Sequence, residues 1–281
     1  FMLVLLGPSF AGDSAGYQRL SKVTGMVAYD LRARLKPGMW GLVKALADKA
    51  EAARLAAALE AENFPVVVVA REIANDPERP IVWLKGLSID GEQLTLQLSE
   101  RTMSVPAEAL CSIVRGEVQV GKASAARHAG ATATSSATFR AVVPSASDLQ
   151  VFRESTPQAS FEAFAAADLH FHSVPWIARI DARSFDFAAL GIDAASPAGA
   201  LDTLVDRLAQ LSKIRVDRAA RASSISSFTQ QAVRIATPPP TSAAAAHRRM
   251  EIAGDERFDP YSRVVGEAER LLAAKTAQPK A

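Results

Sequence analysis

The chain has 281 residues, of which 32 are basic and 30 acidic, and its hydrophobic content of 49% is ordinary for a globular protein. This length allows two domains or one large domain. Because the charges nearly cancel and form no long block of one sign, a nucleic-acid-binding protein is an unlikely class. The single cysteine, Cys111, excludes an internal disulfide and a cysteine-based zinc site, and its apolar neighbours indicate a buried, unreactive thiol.

The sequence shows neither the pattern of a membrane-spanning helix nor that of a signal peptide. No run of residues approaches the roughly 18–20 apolar residues that a membrane-spanning helix requires. The apolar start FMLVLL lacks a basic flank and is too short for a signal peptide. We therefore expect a cytoplasmic protein without a transmembrane segment.

Residues 1–79 have the pattern of a small α/β sandwich. An apolar strand is predicted at 2–7, and a strand at MWGLVKAL and a β-branched strand at FPVVVVA follow later. Asp48 and Glu51 form a capping box that begins a helix between those two strands. Before them, one broken helix or two short ones are predicted at about 15–35, interrupted by a glycine. Their apolar stripe consists of Leu20, Val23, Val27, Leu31 and Leu35.

Part of this unit resembles a known family. The segments LSKVTGMVAYDLRARL and LVKALADKAEAARLAAALEAENFPVVVV, over about residues 17–70, are similar to the C-terminal domain of the large-ribosomal-subunit stalk protein. Both have a Thr-Gly turn between two helices, followed by a short strand and an alanine-rich helix. The resemblance implies that fold for the N-terminal unit. The chain lacks the lysine-rich helix face with which the family recruits translation factors, so its function is not carried over.

The segment 80–121 is typical of a β-meander or SH3-like unit, because alternating residues flank Asp90-Gly91, a strong hairpin signal. A small, polar and aperiodic stretch at 122–138 is predicted to be a linker. The first half of the chain therefore reads as an α/β sandwich, a β unit and a tether.

A second small α+β domain is expected at 139–236, so that the chain as a whole belongs to the α+β class. There SFEAFAAADLHFH reads as helical and then extended, and PWIARIDARSFDF as a strand. Ser196 and Pro197 begin the best amphipathic helix. A Pro/Ala-rich linker at 237–249 precedes a tail, 250–281, with a terminal amphipathic helix.

The stretch Gly7–Ser14 is similar to a phosphate-binding P-loop, with an apolar strand, two glycines and a serine. A P-loop needs a lysine where this chain has Asp13, and a carboxylate beside a triphosphate is strongly unfavourable. We therefore expect an ordinary turn and no nucleotide binding.

The sequence DLHFHS, Asp168–Ser173, resembles the metal-binding opening of the polymerase and histidinol phosphatase family. Alternation would place His170 and His172 on one face of a strand, as two metal ligands require. That family uses several further histidines from later strands, whereas the other two histidines here, His128 and His247, lie in predicted linkers. The sequence favours a surface pair or a partly buried histidine over a metal site.

Two carboxylates in RIDARSFDF are candidates for an acid–base pair. Asp181 and Asp186 fall on opposite faces of a strand, so they would share a substrate proton only if the strand bent. Arg179 and Arg183 beside them indicate solvated ion pairs on a charged face. No serine nucleophile motif is present.

These observations favour a non-enzymatic adaptor or assembly subunit, with no metal or cofactor, that binds a protein partner or itself. The candidate partner-binding residues are the apolar stripe of the tail helix: Val264, Val265, Ala268, Leu271 and Leu272. Packing of that stripe on its own domain is the alternative. Two other functions stay open: a metal-dependent hydrolase centred on His170 and His172, and a nucleic-acid-binding protein that uses Arg32, Arg34 and Lys36.

Overall fold

The structure, a computed structural model, describes residues 1–122, 160–220 and 258–277. These residues form five α-helices and three β-sheets, which confirms the predicted α+β class. Within them, no helix is both long enough and apolar enough to cross a membrane.

The first sheet is built by the N-terminal part of the chain and has the strand order β2-β1-β3, with both neighbours antiparallel to β1. Two helices lie between β1 and β2 in the sequence, and a third helix lies between β2 and β3. In chain order the elements are β1 (Met2–Leu6), α1 (Ser14–Thr24), α2 (Ala28–Arg34), β2 (Gly41–Leu46), α3 (Lys49–Ala61) and β3 (Val66–Ala70).

Local chemistry fixes the ends of these helices. The Asp48 side chain accepts a hydrogen bond from the amide of Ala50 at 2.7 Å and so caps α3, as its sequence pattern predicts. Gly25 ends α1 with a φ of 69°, a left-handed conformation that glycine adopts without strain. The helix is therefore interrupted there, and α2 starts in a new direction after Val27.

The rest of the chain adds two sheets. One is a three-stranded antiparallel meander, β5-β6-β7, and the other has five strands in the order β11-β8-β9-β10-β4. The elements are β4 (Ile81–Trp83), β5 (Gly86–Asp90), β6 (Gln93–Gln97), β7 (Thr102–Pro106), β8 (Leu110–Lys122), β9 (Ser160–Phe171), β10 (Ile177–Asp181), α4 (Pro197–Ser212), β11 (Val216–Ala220) and α5 (Phe258–Ala277).

The five-stranded sheet mixes segments that the sequence analysis assigned to separate domains. Its strands β4 and β8 come from 80–121, and β9, β10 and β11 come from 139–236. One apolar core also takes in side chains from both segments. The structure therefore joins the two predicted units, and residues 123–138 and 237–249, predicted as linkers, lie outside the described ranges.

The strand β9 differs from its prediction, because all of Ser160–Phe171 is extended and none of it is helical. Its alanines favour a helix as isolated residues, but the strand is covered on both faces. Phe164 and Ala166 face one core, while Ala167 and Leu169 face another. Alternate burial between two cores stabilises a strand here, against the local propensity.

The terminal helix α5 lies against the first sheet. In β1, Leu3 and Leu5 belong to the core that includes α5, whereas Val4 and Leu6 belong to the core formed with α1, α2 and α3. The core of α5 also contains side chains from β8 and β9. This helix therefore supplies apolar surface both to the N-terminal sheet and to two strands from the middle of the sequence.

Candidate functional site

The P-loop-like stretch is a capped turn. Asp13 Oδ1 accepts a hydrogen bond from the Gly16 amide at 2.6 Å and is the N-cap of α1. Gly12 takes a φ of 70°, which glycine favours. The carboxylate that makes the sequence a poor P-loop thus occupies the position in which a helix N-terminus would hold an anion.

The two histidines of DLHFHS lie in different environments. His170 is only 5% exposed, and its Nε2 is 3.0 Å from Ser262 Oγ on α5. His172 follows the end of β9 and is exposed. No group of three or more His, Cys, Asp or Glu side chains in the described ranges is placed to hold a metal ion.

Burial controls the ionisation of His170. Loss of water around the ring lowers its pKa to about 4, and the positive charges of Arg79, Arg179 and Arg263 act in the same direction. Asp168 opposes this effect. The ring is therefore neutral near pH 7 and does not serve as a surface proton carrier.

Arg179 is buried in an ion-pair network, so the expectation of a solvated ion pair is wrong for this residue. It is 2% exposed and donates to both oxygens of Asp168, at 2.6 and 2.7 Å. Asp259 at the start of α5 lies 2.7 Å from the guanidinium. The rings of Trp83 and Phe258 lie 5.5 and 4.9 Å from its central carbon. Although burial alone would lower it, the two carboxylates raise the pKa of Arg179.

The other two carboxylates of that region have local roles. Asp181 pairs with Arg183 at 2.7 Å, and the Arg183 side chain is 42% exposed whereas Asp181 is buried, so only the arginine half of this pair is solvated as expected. Asp186 accepts hydrogen bonds from the amides of Ala188 and Ala189. Each carboxylate is thus engaged by its own neighbours.

Ser262, His170 and Asp168 include the residue types of a catalytic triad, but their geometry differs from one. Both carboxylate oxygens of Asp168 accept from Arg179 rather than from the histidine. Ser262 has no solvent exposure. A substrate therefore has no access to the hydroxyl, and the histidine is not oriented by an acid.

A cleft of about 380 Å³ lies beside this network. Its walls include Cys111, whose Sγ donates to the His170 carbonyl at 3.2 Å. Burial raises the pKa of the Cys111 thiol to about 11, so it stays protonated at neutral pH and is a poor nucleophile. This supports the expectation of an unreactive thiol.

The charges at the cleft neutralise one another. Glu267 is 8% exposed and lies between Arg79, at 2.8 Å, and Arg270, at 2.5 Å. Burial would raise the pKa of Glu267, but the two arginines lower it below its usual range. The three side chains hold α5 against the residues after β3.

The predicted partner-binding stripe lies in the chain's own core. Val264, Val265 and Ala268 have no solvent exposure, and Leu271 and Leu272 are partly buried against the same core. Of the two placements that the sequence left open, the structure therefore has the stripe packed on the chain's own strands.

An exposed apolar pair was missed by the sequence analysis. Val27 is 64% exposed and Tyr29 is 78% exposed, although Val27 was assigned to a buried stripe with Leu31. Gly25 interrupts the helix, so Val27 becomes the N-cap of α2 and leaves the stripe. The glycine was the signal that could have revealed this change.

Basic side chains lie in the same segment as the pair. Tyr29 and Arg32 are spaced at i and i+3 on α2, which places them on one face. Lys36 follows the end of α2 and donates to the Arg32 carbonyl, and Lys22 lies in the last turn of α1. We call Lys22, Val27, Tyr29, Arg32 and Lys36 the hairpin surface. Among the described residues, no ion pair engages its three cations, whereas Arg79, Arg179, Arg215 and Arg270 around α5 are paired.

Comparisons of the chain with protein-family models, with curated proteins and with solved structures find no match.

Proposed function

We propose that this chain is a non-enzymatic adaptor that binds a protein partner through the hairpin surface. The observation that carries the proposal is the exposure of Val27 and Tyr29, at 64% and 78%. Large apolar side chains that are exposed close together in the sequence, among polar residues, are typical of a protein-binding site. Tyrosine in particular combines a large apolar ring with a hydrogen-bonding hydroxyl and is enriched at interfaces.

Hydrogen bonds and ion pairs within the chain engage the potentially reactive side chains, which supports a binding role. His170 and Ser262 are buried against each other, and Arg179 is engaged by two carboxylates. Cys111 donates to a carbonyl. Each of these groups has a structural partner, which is the arrangement expected of a scaffold. In the ranges that the structure describes, no observation favours the metal-dependent hydrolase.

We place the partner-binding site on the N-terminal unit and not on the tail helix. A tethered terminal helix is the candidate that the sequence offers for the partner contact, but Val264, Val265 and Ala268 are fully buried, and only Leu271 and Leu272 keep part of their apolar surface. The hairpin surface has such surface, and it lies on α1 and α2, whose buried side is packed on the first sheet through Leu20 and Leu31. Rigid support of this kind favours binding, because little order has to be gained.

Site-specific crosslinking tests the proposal. We would replace Tyr29 by the photoreactive amino acid p-benzoyl-phenylalanine in the full chain, in cells that produce it, and identify adducts by mass spectrometry. We expect a defined protein adduct at this position. The matched control carries the same amino acid at Ala57, an exposed position on α3.

The protein identified in the adduct is then purified, and its affinity for the full chain is measured. Val27→Asp and Tyr29→Asp should each weaken its affinity for the full chain by about tenfold or more, because each places a charge in the apolar contact. Ala57→Asp should leave the affinity unchanged. Adducts that are equal at both positions, or affinities unaffected by the two hairpin substitutions, would refute the adaptor proposal.

A further inference from the structure

We infer that the partner presents an acidic segment containing an apolar side chain to the hairpin surface. This inference rests on the proposed function and adds the chemistry of the partner. It follows from the local charge, from the absence of ion pairs to these cations within the described ranges, and from the exposed apolar side chains in the same segment.

The local charge is strongly positive. Residues 14–36 contain five basic residues and one acidic residue, Asp30, whereas the whole chain has a net charge of only +2. All five basic residues are exposed. A surface with this excess attracts acidic segments, increases their association rate and disfavours basic ones.

The cations are available for an external partner. Lys22 and Arg34 have no ion pair with any residue in the described ranges. Arg32 donates to Ser14 Oγ at 2.8 Å and lies 5.5 Å from the centre of the Tyr17 ring, and Lys36 donates to the Arg32 carbonyl at 3.2 Å. Neither has a carboxylate partner in the described ranges, whereas Arg218 is paired with Asp202 and Asp206. We expect an external partner to supply carboxylates to the hairpin surface.

The apolar pair selects a peptide over a nucleic-acid backbone. Phosphates would engage the cations but would leave Val27 exposed, and burial of an aliphatic side chain is favourable only against another apolar group. An acidic segment with an apolar residue satisfies both parts of the surface. The cations then add charge contacts to the apolar contact, and charge complementarity of this kind helps to fix the register of the segment.

Fluorescence anisotropy with defined probes tests the inference on the full chain. The probe is a labelled peptide in which glutamates flank a leucine and a phenylalanine. Two matched peptides replace the glutamates by glutamine, or the leucine and phenylalanine by serine, and a labelled single-stranded DNA oligonucleotide is the fourth probe. We expect saturable binding of the first peptide and at least about tenfold weaker binding of the other three.

Variants and salt locate the contact. Lys22→Glu and Lys36→Glu should each weaken the affinity for the first peptide by about fivefold or more. Lys49→Glu, which changes an exposed lysine on α3, should leave that affinity unchanged. Raising the ionic strength should weaken binding, because exposed charges are screened over about 8 Å at physiological salt. Thermal melts of all variants should agree with that of the unmodified chain.

Each other result overturns the inference. Equal binding of the glutamine peptide removes the acidic requirement, and equal binding of the serine peptide removes the apolar one. Tighter binding of the oligonucleotide assigns the surface to nucleic acid. If no peptide binds while the adduct at position 29 is found and confirmed, the chemistry of the partner is wrong and the adaptor proposal stands.

Discussion

The charge of Arg179 is stabilised by two carboxylates and not by water. Its guanidinium is 2% exposed, and both Asp168 and Asp259 contact it. Removing one member of such a network leaves the others buried without compensation, which costs far more than the loss of a surface pair. At the scale of single residues, this network connects β9, β10 and α5.

We predict that Arg179→Met lowers the free energy of unfolding by about 3–5 kcal/mol. The cause is the burial of Asp168 and Asp259 without a positive partner. Arg218→Met, which removes an exposed pair with a side chain 44% exposed, should cost less than about 1 kcal/mol. Urea unfolding of both variants measures this difference, and equal effects would show that the buried network contributes no more than the surface pair.

The ionisation of His170 gives a second prediction. Its pKa is about 4 in the folded chain and about 6.5 in the unfolded chain. Between these values the unfolded chain binds a proton that the folded chain does not. The free energy of unfolding should therefore fall by roughly 3 kcal/mol as the pH decreases through this window, and stay unaffected by this group above it.

Urea unfolding between about pH 4 and 7 checks the pH dependence. His170→Gln carries no ionisable ring and should show a flatter dependence than the unmodified chain in this window. If the two dependences coincide, the burial of a neutral His170 does not contribute to stability as proposed.

At the scale of elements, α5 approaches β9 too closely for a side chain at Gly266. A Cβ built at this position would lie 2.2 Å from His170 Nδ1. In an ordinary helix a glycine costs about 1 kcal/mol relative to alanine, so the substitution would usually stabilise. Here an alanine would lose that advantage, because the His170 ring lies directly against the helix backbone at Gly266.

We expect Gly266→Ala to destabilise the protein by about 1–3 kcal/mol, because the ring or the helix must move. In the background of His170→Ala, the same substitution should be neutral or stabilising. A double-mutant cycle measured by urea unfolding gives the coupling. Additive effects would mean that α5 does not contact His170.

The turn before α1 gives a prediction that joins sequence and structure. Asp13→Lys introduces the lysine of a P-loop, but it removes the cap on the Gly16 amide. We expect a loss of about 1 kcal/mol in stability and no binding of ATP. Unfolding measurements and calorimetric titration check the two parts, and micromolar nucleotide affinity would contradict the second.

Some elements could be read from the sequence because their signals are local. Asp48 and Ser196 each cap the helix that follows, as their spacing predicts. The strand β9 was partly misread, since its extended form depends on cores supplied by distant segments. The hairpin surface was missed for a different reason. The helical pattern of apolar residues, if it is continued through Gly25, assigns Val27 to the buried stripe. Gly25 ends α1, however, so the pattern does not extend to Val27.

At the scale of the whole molecule, α5 completes a core that begins with β1. Trp40 Nε1 donates to Glu269 at 2.8 Å across 229 residues of sequence, and Tyr261 donates to Asp217 on β11. Val264 and Val265 share a core with Leu3 and Leu5. The first sheet and the five-stranded sheet both depend on this helix for their apolar cover.

Val265→Asp should therefore lower the free energy of unfolding by more than about 3 kcal/mol, because it buries a charge without a partner. Ala273→Asp, on the exposed part of the same helix, should have little effect. Urea unfolding and the native mass are measured together. A change in oligomer mass without loss of stability would assign the stripe to a neighbouring chain instead.

The order in which β1 and α5 are synthesised has a consequence for folding. The ribosome makes Leu3 and Leu5 long before Val264 and Val265, and nascent chains grow at about 5–20 residues per second. The α5-facing side of the first sheet therefore lacks its cover until α5 has emerged. A product that terminates before α5 never gains that cover, so it presents exposed apolar strands that chaperones and proteases recognise. Completion of this core thus waits for the synthesis of α5.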